Sequence, residues 1–225
     1  MKKLMSLVAL AVVGSVVAAS AQEVLSANAV GYVKRTVPAG GLQIVSVPFD
    51  NIASDDGSYK FGETQIAADA PIGTSVMFWD ADAQQWAVGS KGGKGWGSYA
   101  NKTLEAGEPF FLQNAGTDSL EVTAAGEVPS VEKTTRAYAG GDGLSFIANP
   151  YPVDCNFGDT ELATQLPVGA SVMFWDADSQ QWAVGSKGGK GWGSYASKAV
   201  EAGEGFFIKT ASEGTWEAVK PYTWP

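Results

Sequence analysis

Residues 75–111 read SVMFWDADAQQWAVGSKGGKGWGSYANKTLEAGEPFF, and residues 171–207 read SVMFWDADSQQWAVGSKGGKGWGSYASKAVEAGEGFF. The pairs that differ are Ala83/Ser179, Asn101/Ser197, Thr103/Ala199, Leu104/Val200 and Pro109/Gly205. An ungapped self-match at a fixed offset of 96 marks a duplicated structural unit, a conclusion that precedes any propensity argument.

The match extends outward from this centre. It runs ungapped from residue 61 against 157, and Ala39-Gly40-Gly41 ahead of Leu42 to Val47 parallels Ala139-Gly140-Gly141 ahead of Leu144 to Ala148. Glu23-Val24 and Glu127-Val128 open the two units. Phe110 to Leu112 and Leu120 to Val122 close the first, as Phe206 to Ile208 and Trp216 to Val219 close the second. The expected organisation is therefore a signal peptide over residues 1–21, a first domain over 22–126 and a second over 127–225. Each domain is within the usual size range of an independent core.

Short apolar and β-branched runs separated by Gly, Asp, Asn and Pro clusters predict an all-β fold. Two tandem homologous domains are expected, β-sandwich-like or barrel-like, each with one short helical turn. The sharpest local expectation is a hairpin: Val76 to Asp80 and Gln85 to Val88 flank the turn Ala81 to Gln84, which sets Trp79 across from Trp86, and Trp175 across from Trp182 in the second copy. Helical turns are expected near Glu63 to Ala68 and Thr160 to Gln165, stopped by Pro71 and Pro167.

Lys2 and Lys3, the apolar stretch Leu4 to Val17 and the small-residue site Ala19-Ser20-Ala21 have the layout of a secretory signal, so export to the periplasm or the extracellular space is expected, with a mature chain from Gln22. No later apolar run has the ~20 residues needed to cross a bilayer, so membrane insertion is not expected after cleavage. Without its two signal lysines the chain carries 13 basic against 24 acidic residues, a net charge of −11. Such a chain repels nucleic-acid phosphates and anionic lipid. Cys155 is the single cysteine, which excludes an intrachain disulfide; it reads as a small buried hydrophobe, with intermolecular pairing in an oxidising compartment as the alternative.

Histidine is absent, which removes Ser-His and Cys-His nucleophile systems and His-ligated metal centres. A carboxylate-based glycosidase is the enzyme reading that survives, because its requirement is geometric rather than sequential. The Asp80/Asp82 and Asp176/Asp178 pairs offer too few oxygens for Ca²⁺ and read as turns in which Asp caps its own backbone. No metal, no cofactor and no catalytic residue is expected. The Gly-rich runs Gly89 to Tyr99 and Gly185 to Tyr195 fail the phosphate-loop spacing, since Lys94 is followed by Gly95-Trp96.

Those runs are nevertheless the candidate binding site. Displayed outward, Lys91, Lys94, Trp96 and Tyr99, with Lys187, Lys190, Trp192 and Tyr195 in the twin loop, would supply flat amphipathic rings for stacking on sugars and donors for hydrogen bonds. Turned inward, Trp96 and Trp192 would plug the core of their own domains. Linked copies of one binding loop would gain avidity.

Ser26 to Val33, Pro38 to Gly41, Ile147-Ala148-Asn149-Pro150, Pro167-Val168-Gly169 and Glu201 to Ile208 resemble, over essentially the whole mature chain, secreted tandem-repeat proteins of Verrucomicrobia and related bacteria whose activity is uncharacterised. Individual units are also similar to Bacteroidetes surface modules reading Gly-Trp-Asn-Leu-Ile-Gly-Asn-Pro-Tyr-Pro and ending Gly-Gln-Gly-Phe-Phe-Val. Leu144 to Pro152 and Gly203 to Ile208 carry that pattern, whereas the first copy departs from it at Val47-Pro48-Phe49. The resemblance implies an extracellular β-sandwich-like appendage and no particular activity. The expected function is a non-catalytic structural or interaction module of the cell surface, self-associating or attached to envelope proteins. The alternative is a bivalent carbohydrate-binding protein whose partner is a polysaccharide.

Overall fold

The computed structural model describes residues 29–223; the signal segment and Glu23-Val24 lie outside them. In the first half the chain forms β1 (Val30–Val37), β2 (Leu42–Ser46), β3 (Tyr59–Lys60), α1 (Gln65–Asp69), β4 (Ser75–Asp80), β5 (Gln85–Ser90), β6 (Thr103–Leu104), β7 (Pro109–Gln113) and β8 (Leu120–Glu127). The second half repeats the order with β9 (Lys133–Tyr138), β10 (Leu144–Ala148), β11 (Cys155–Asn156), α2 (Glu161–Gln165), β12 (Ser171–Asp176), β13 (Gln181–Ser186), β14 (Ala199–Val200), β15 (Gly205–Lys209) and β16 (Gly214–Val219).

Each half is an open sandwich. A four-stranded antiparallel sheet, ordered β2-β7-β4-β5 or β10-β15-β12-β13, faces a two-stranded ribbon made from the half's first and last strands, β1 with β8 or β9 with β16. The sheets do not close, which settles the sandwich-or-barrel alternative in favour of the sandwich. Every strand pairing among the described residues stays within its own half.

The core follows from strand alternation. Val45, Val76, Phe78, Phe110 and Leu112 turn inward from the first sheet to meet Val37, Val122 and Ala124 of the ribbon, and the second half packs Ile147, Val172, Phe174, Phe206 and Ile208 against Trp216 and Ala218. Phe61 stands at the centre of the first core with its ring edge-on to Trp96, Phe78 and Phe110, at centroid separations of 4.9, 5.3 and 5.4 Å. Phe157 repeats the cluster with Trp192, Phe174 and Phe206.

The short helices begin where a threonine caps them. Thr64 Oγ1 accepts the Ala67 N–H at 3.1 Å and Thr160 Oγ1 that of Ala163 at 3.2 Å. The hairpins have the expected register, with Trp79 opposite Trp86 and Trp175 opposite Trp182. Their turns are held by Asp80 Oδ1, which accepts N–H groups of Asp82 and Ala83 at 3.1 and 2.8 Å, and by Asp176 on Asp178 and Ser179.

Candidate functional site

The Gly-rich loop folds inward. Trp96 is 5% exposed and Trp192 6%, and their indole N–H groups donate to the carbonyls of Ala67 and Ala163 at 3.1 and 2.8 Å. Lys91 Nζ donates to the carbonyls of Ala67, Ala68 and Ala70 at 2.8, 3.2 and 2.6 Å, so its ammonium caps the C-terminal end of α1. Lys187 does the same on Ala163, Thr164 and Leu166. A cation at this end satisfies orphan carbonyls and opposes the negative pole of the helix. The half-buried Tyr99 ring stacks on Phe78 and lies on Gly89, where a Cβ would come within 2.3 Å of it; Tyr195 lies on Gly185 in the same way. Gly92 and Gly95 exchange backbone hydrogen bonds of 2.9 and 3.0 Å, which leaves Lys94 exposed at a tight tip, as Lys190 is in the twin.

The expectation of an outward binding loop is therefore corrected for Lys91, Trp96, Lys187 and Trp192. Each is held by its own domain, because an indole beside Phe61 or Phe157 gains more from burial than from water. The structure leaves Lys94 and Lys190 free of the core, and brings neither of them to an exposed aromatic face.

A second surface, outside the expected site residues, is the outer face of each four-stranded sheet. Trp79, Trp86 and Phe111 of the first half meet Phe146, Trp175, Trp182 and Phe207 of the second. Phe146 stacks on Phe207 at 4.4 Å, and Trp86 stands edge-on to Phe111, Phe146 and Phe207 at 5.5 to 5.8 Å. Geometries of this kind each add about 0.5–1.5 kcal/mol beyond simple burial.

The polar contacts around this cluster are reciprocal. Trp79 Nε1 donates to the Leu144 carbonyl at 3.1 Å and Trp175 Nε1 to the Leu42 carbonyl at 2.9 Å. Gln84 clamps Leu144, donating from Nε2 to its carbonyl at 3.0 Å and accepting its N–H at 2.7 Å; Gln180 clamps Leu42 at the same distances. Both glutamines have positive φ, 51° and 54°. Strained backbone of this kind persists where the surroundings over-determine it. Arg35 pairs with Glu201, and Arg136 with Glu105 at 3.4 Å. Gly107 lies against Pro150 and Gly203 approaches Pro48. Contact i-to-j matched by j-to-i is the signature of an isologous joint, here between two halves of one chain about a pseudo-twofold axis.

Position 109 and its equivalent 205 sit on that axis. A Cβ built on Gly205 would fall 2.5 Å from Pro109 Cβ and 2.9 Å from Ile44 Cγ2. One of the few differences between the copies thus occurs where the two copies meet.

Beside the joint runs an open groove of about 860 Å³ lined by Trp79, Asp82, Tyr138, Ser145, Ser212 and Glu213, among others. Among the described residues no group of three or more His, Cys, Asp or Glu side chains is placed to hold a metal ion. Comparison with known proteins yields no match to a family model, a curated protein or a solved structure.

Proposed function

We propose that the protein is an exported, non-catalytic structural or interaction module of the bacterial surface: a stiff two-domain block rather than a pair of independently moving lectin heads. The observation that carries this reading is the aromatic joint. It commits an aromatic face of each half to the other, and reciprocal clamps from Gln84 and Gln180 hold them in register. A binding protein that relied on two independent sites would gain from freedom between them, whereas a spacer or building unit gains from its loss.

Fractionation of the producing cell, followed by incubation of the purified chain with its isolated envelope, tests the reading. Retention on the envelope and sedimentation with it are expected. Saturable binding to a soluble saccharide, with no affinity for the envelope, overturns it, and so does hydrolytic turnover of a polysaccharide.

The carbohydrate reading keeps one foothold, the groove beside the joint, where the half-buried Trp79 and Tyr138 lie next to the buried Ser145 and combine an aromatic surface with hydroxyl groups. A glycan array comparing the native chain with Tyr138→Ala tests it: binding lost in a folded variant supports the groove as a sugar site, and no binding to any polysaccharide removes it.

A further inference from the structure

We propose that the joint between the two halves is also a joint between chains, so that the first half of one molecule docks on the second half of another in a head-to-tail array. The inference deepens the structural reading by naming the partner, a second copy of this chain, and rests on that reading for its biological use. Its geometry stands independently.

The joint is self-complementary apart from its axis, and among the described residues no strand pairing holds the halves together. What joins them covalently is the segment 128–132, and the change of allegiance along it falls at one peptide. The Val128 N–H donates to the Ala29 carbonyl of the first half, while the Pro129 carbonyl accepts the Tyr222 hydroxyl and the Ser130 carbonyl the Lys220 ammonium of the second. Val131 and Glu132 are likewise bound to the second half, through Tyr151 and Lys220. Rotation about this single hinge would separate the faces without disturbing either core, and short hinges between complementary elements are where exchange between protomers arises.

The axis decides which faces pair. A residue on a twofold meets its own equivalent, so pairing of two first halves would place Pro109 against Pro109, where a Cβ on the opposing residue already falls 2.5 Å away. Pairing of two second halves would set Gly205 against Gly205, with no side chain to fill the axis, and would bring Phe146 where Ile44 now packs against Gly205. First-to-second pairing alone seats proline on glycine. The repulsive element gives direction, because a chain whose two faces are unlike and complementary extends or closes by reciprocal exchange, and does not pair like with like.

Within one chain the short tether gives the halves an effective concentration on the order of mM, so closure on itself dominates in dilute solution. Deleting Ser130 and Val131 from the full chain prevents the faces from meeting within a molecule. Light scattering after gel filtration should then show dimers and longer species across a range from about 1 μM to about 1 mM, with Trp96 and Trp192 fluorescence still that of buried indoles. Adding Gly205→Pro to the shortened chain should return it to a monomer. A shortened, folded chain that stays monomeric at the highest concentration overturns the proposal, as do assemblies that survive Gly205→Pro.

Should the deletion unfold the second half, two differently tagged native chains, unfolded together and refolded at high concentration, provide the second measurement. Co-purification of both tags after dilution supports exchange, and its absence overturns it. A failure here leaves the envelope reading standing. Conversely, saccharide binding would overturn that reading without touching the pairing of faces.

Discussion

Replacing Trp96 with alanine measures how far the Gly-Lys-Trp loop belongs to the core. The indole is 5% exposed and packs edge-on against Phe61 at 4.9 Å. Its N–H donates to the Ala67 carbonyl, but Lys91 Nζ donates to the same oxygen at 2.8 Å, so truncation strands no acceptor. The cost is then the transfer of the lost ring and the cavity it leaves, about 3–5 kcal/mol for a buried Trp-to-Ala change. For a unit of roughly 100 residues each kcal/mol moves Tm by about 4–8 °C, so a fall on the order of 10–40 °C is expected for the first half. Such a loss approaches the whole stability of a typical domain, about 5–15 kcal/mol. Differential scanning calorimetry of Trp96→Ala beside Lys94→Ala is the assay, and Lys94→Ala should stay within about 0.5 kcal/mol of the parent because its side chain is at an exposed tip. A Trp96→Ala protein melting within about 2 °C of the parent would refute the plug, and would restore the loop as a displayed surface.

Three further outcomes are expected. Burial pushes the Cys155 thiol up to about 11, so its labelling by a disulfide reagent at pH 8 should run about 100-fold slower in the folded chain than in urea; equal rates would show an open, ordinary thiol. Gly89→Ala sets a Cβ 2.3 Å from the Tyr99 ring and should cost about 1–3 kcal/mol by denaturant titration, while Gly93→Ala, with nothing within 4 Å, should cost far less; a reversed order would contradict the packing. Burial raises the Glu204 carboxyl above its ordinary value, against the lowering effect of the Glu201 N–H and Arg35. The folded state therefore holds that proton more firmly, a stabilisation present below the unfolded pKa and lost as pH climbs through the folded one, so Glu204→Gln should raise Tm at pH 7 and leave it nearly unchanged at pH 3.

Local sequence signals carried much of this fold. Asp80, which caps its own turn, set the hairpin register, and Thr64 and Thr160 opened the short helices ahead of Pro71 and Pro167. What local signals could not carry was the pairing of β1 with β8, which joins Val37 to Leu120 across the whole half, nor the inward turn of Trp96, which depends on Phe61 and α1 closing over it.

The aromatic joint did leave a trace. Val76-Met77-Phe78-Trp79 and Pro109-Phe110-Phe111-Leu112 are unbroken apolar runs rather than alternating ones, and a strand apolar on both sides is covered on both sides. Phe78 and Phe110 face the core, whereas Trp79 and Phe111 face the other half. The near-identical hairpins also suit a reciprocal joint, which asks the same residues of both partners.

The proline and glycine facing each other at positions 109 and 205 also set this joint apart from that of a homodimer encoded once. In a homodimer encoded once, any change on the axis is expressed on both sides together, and proline can only arrive opposite proline. Two codons are needed before one side can fill the space that the other vacates. The pair is thus open only to a chain that carries both copies, and it makes one half's face a left and the other's a right.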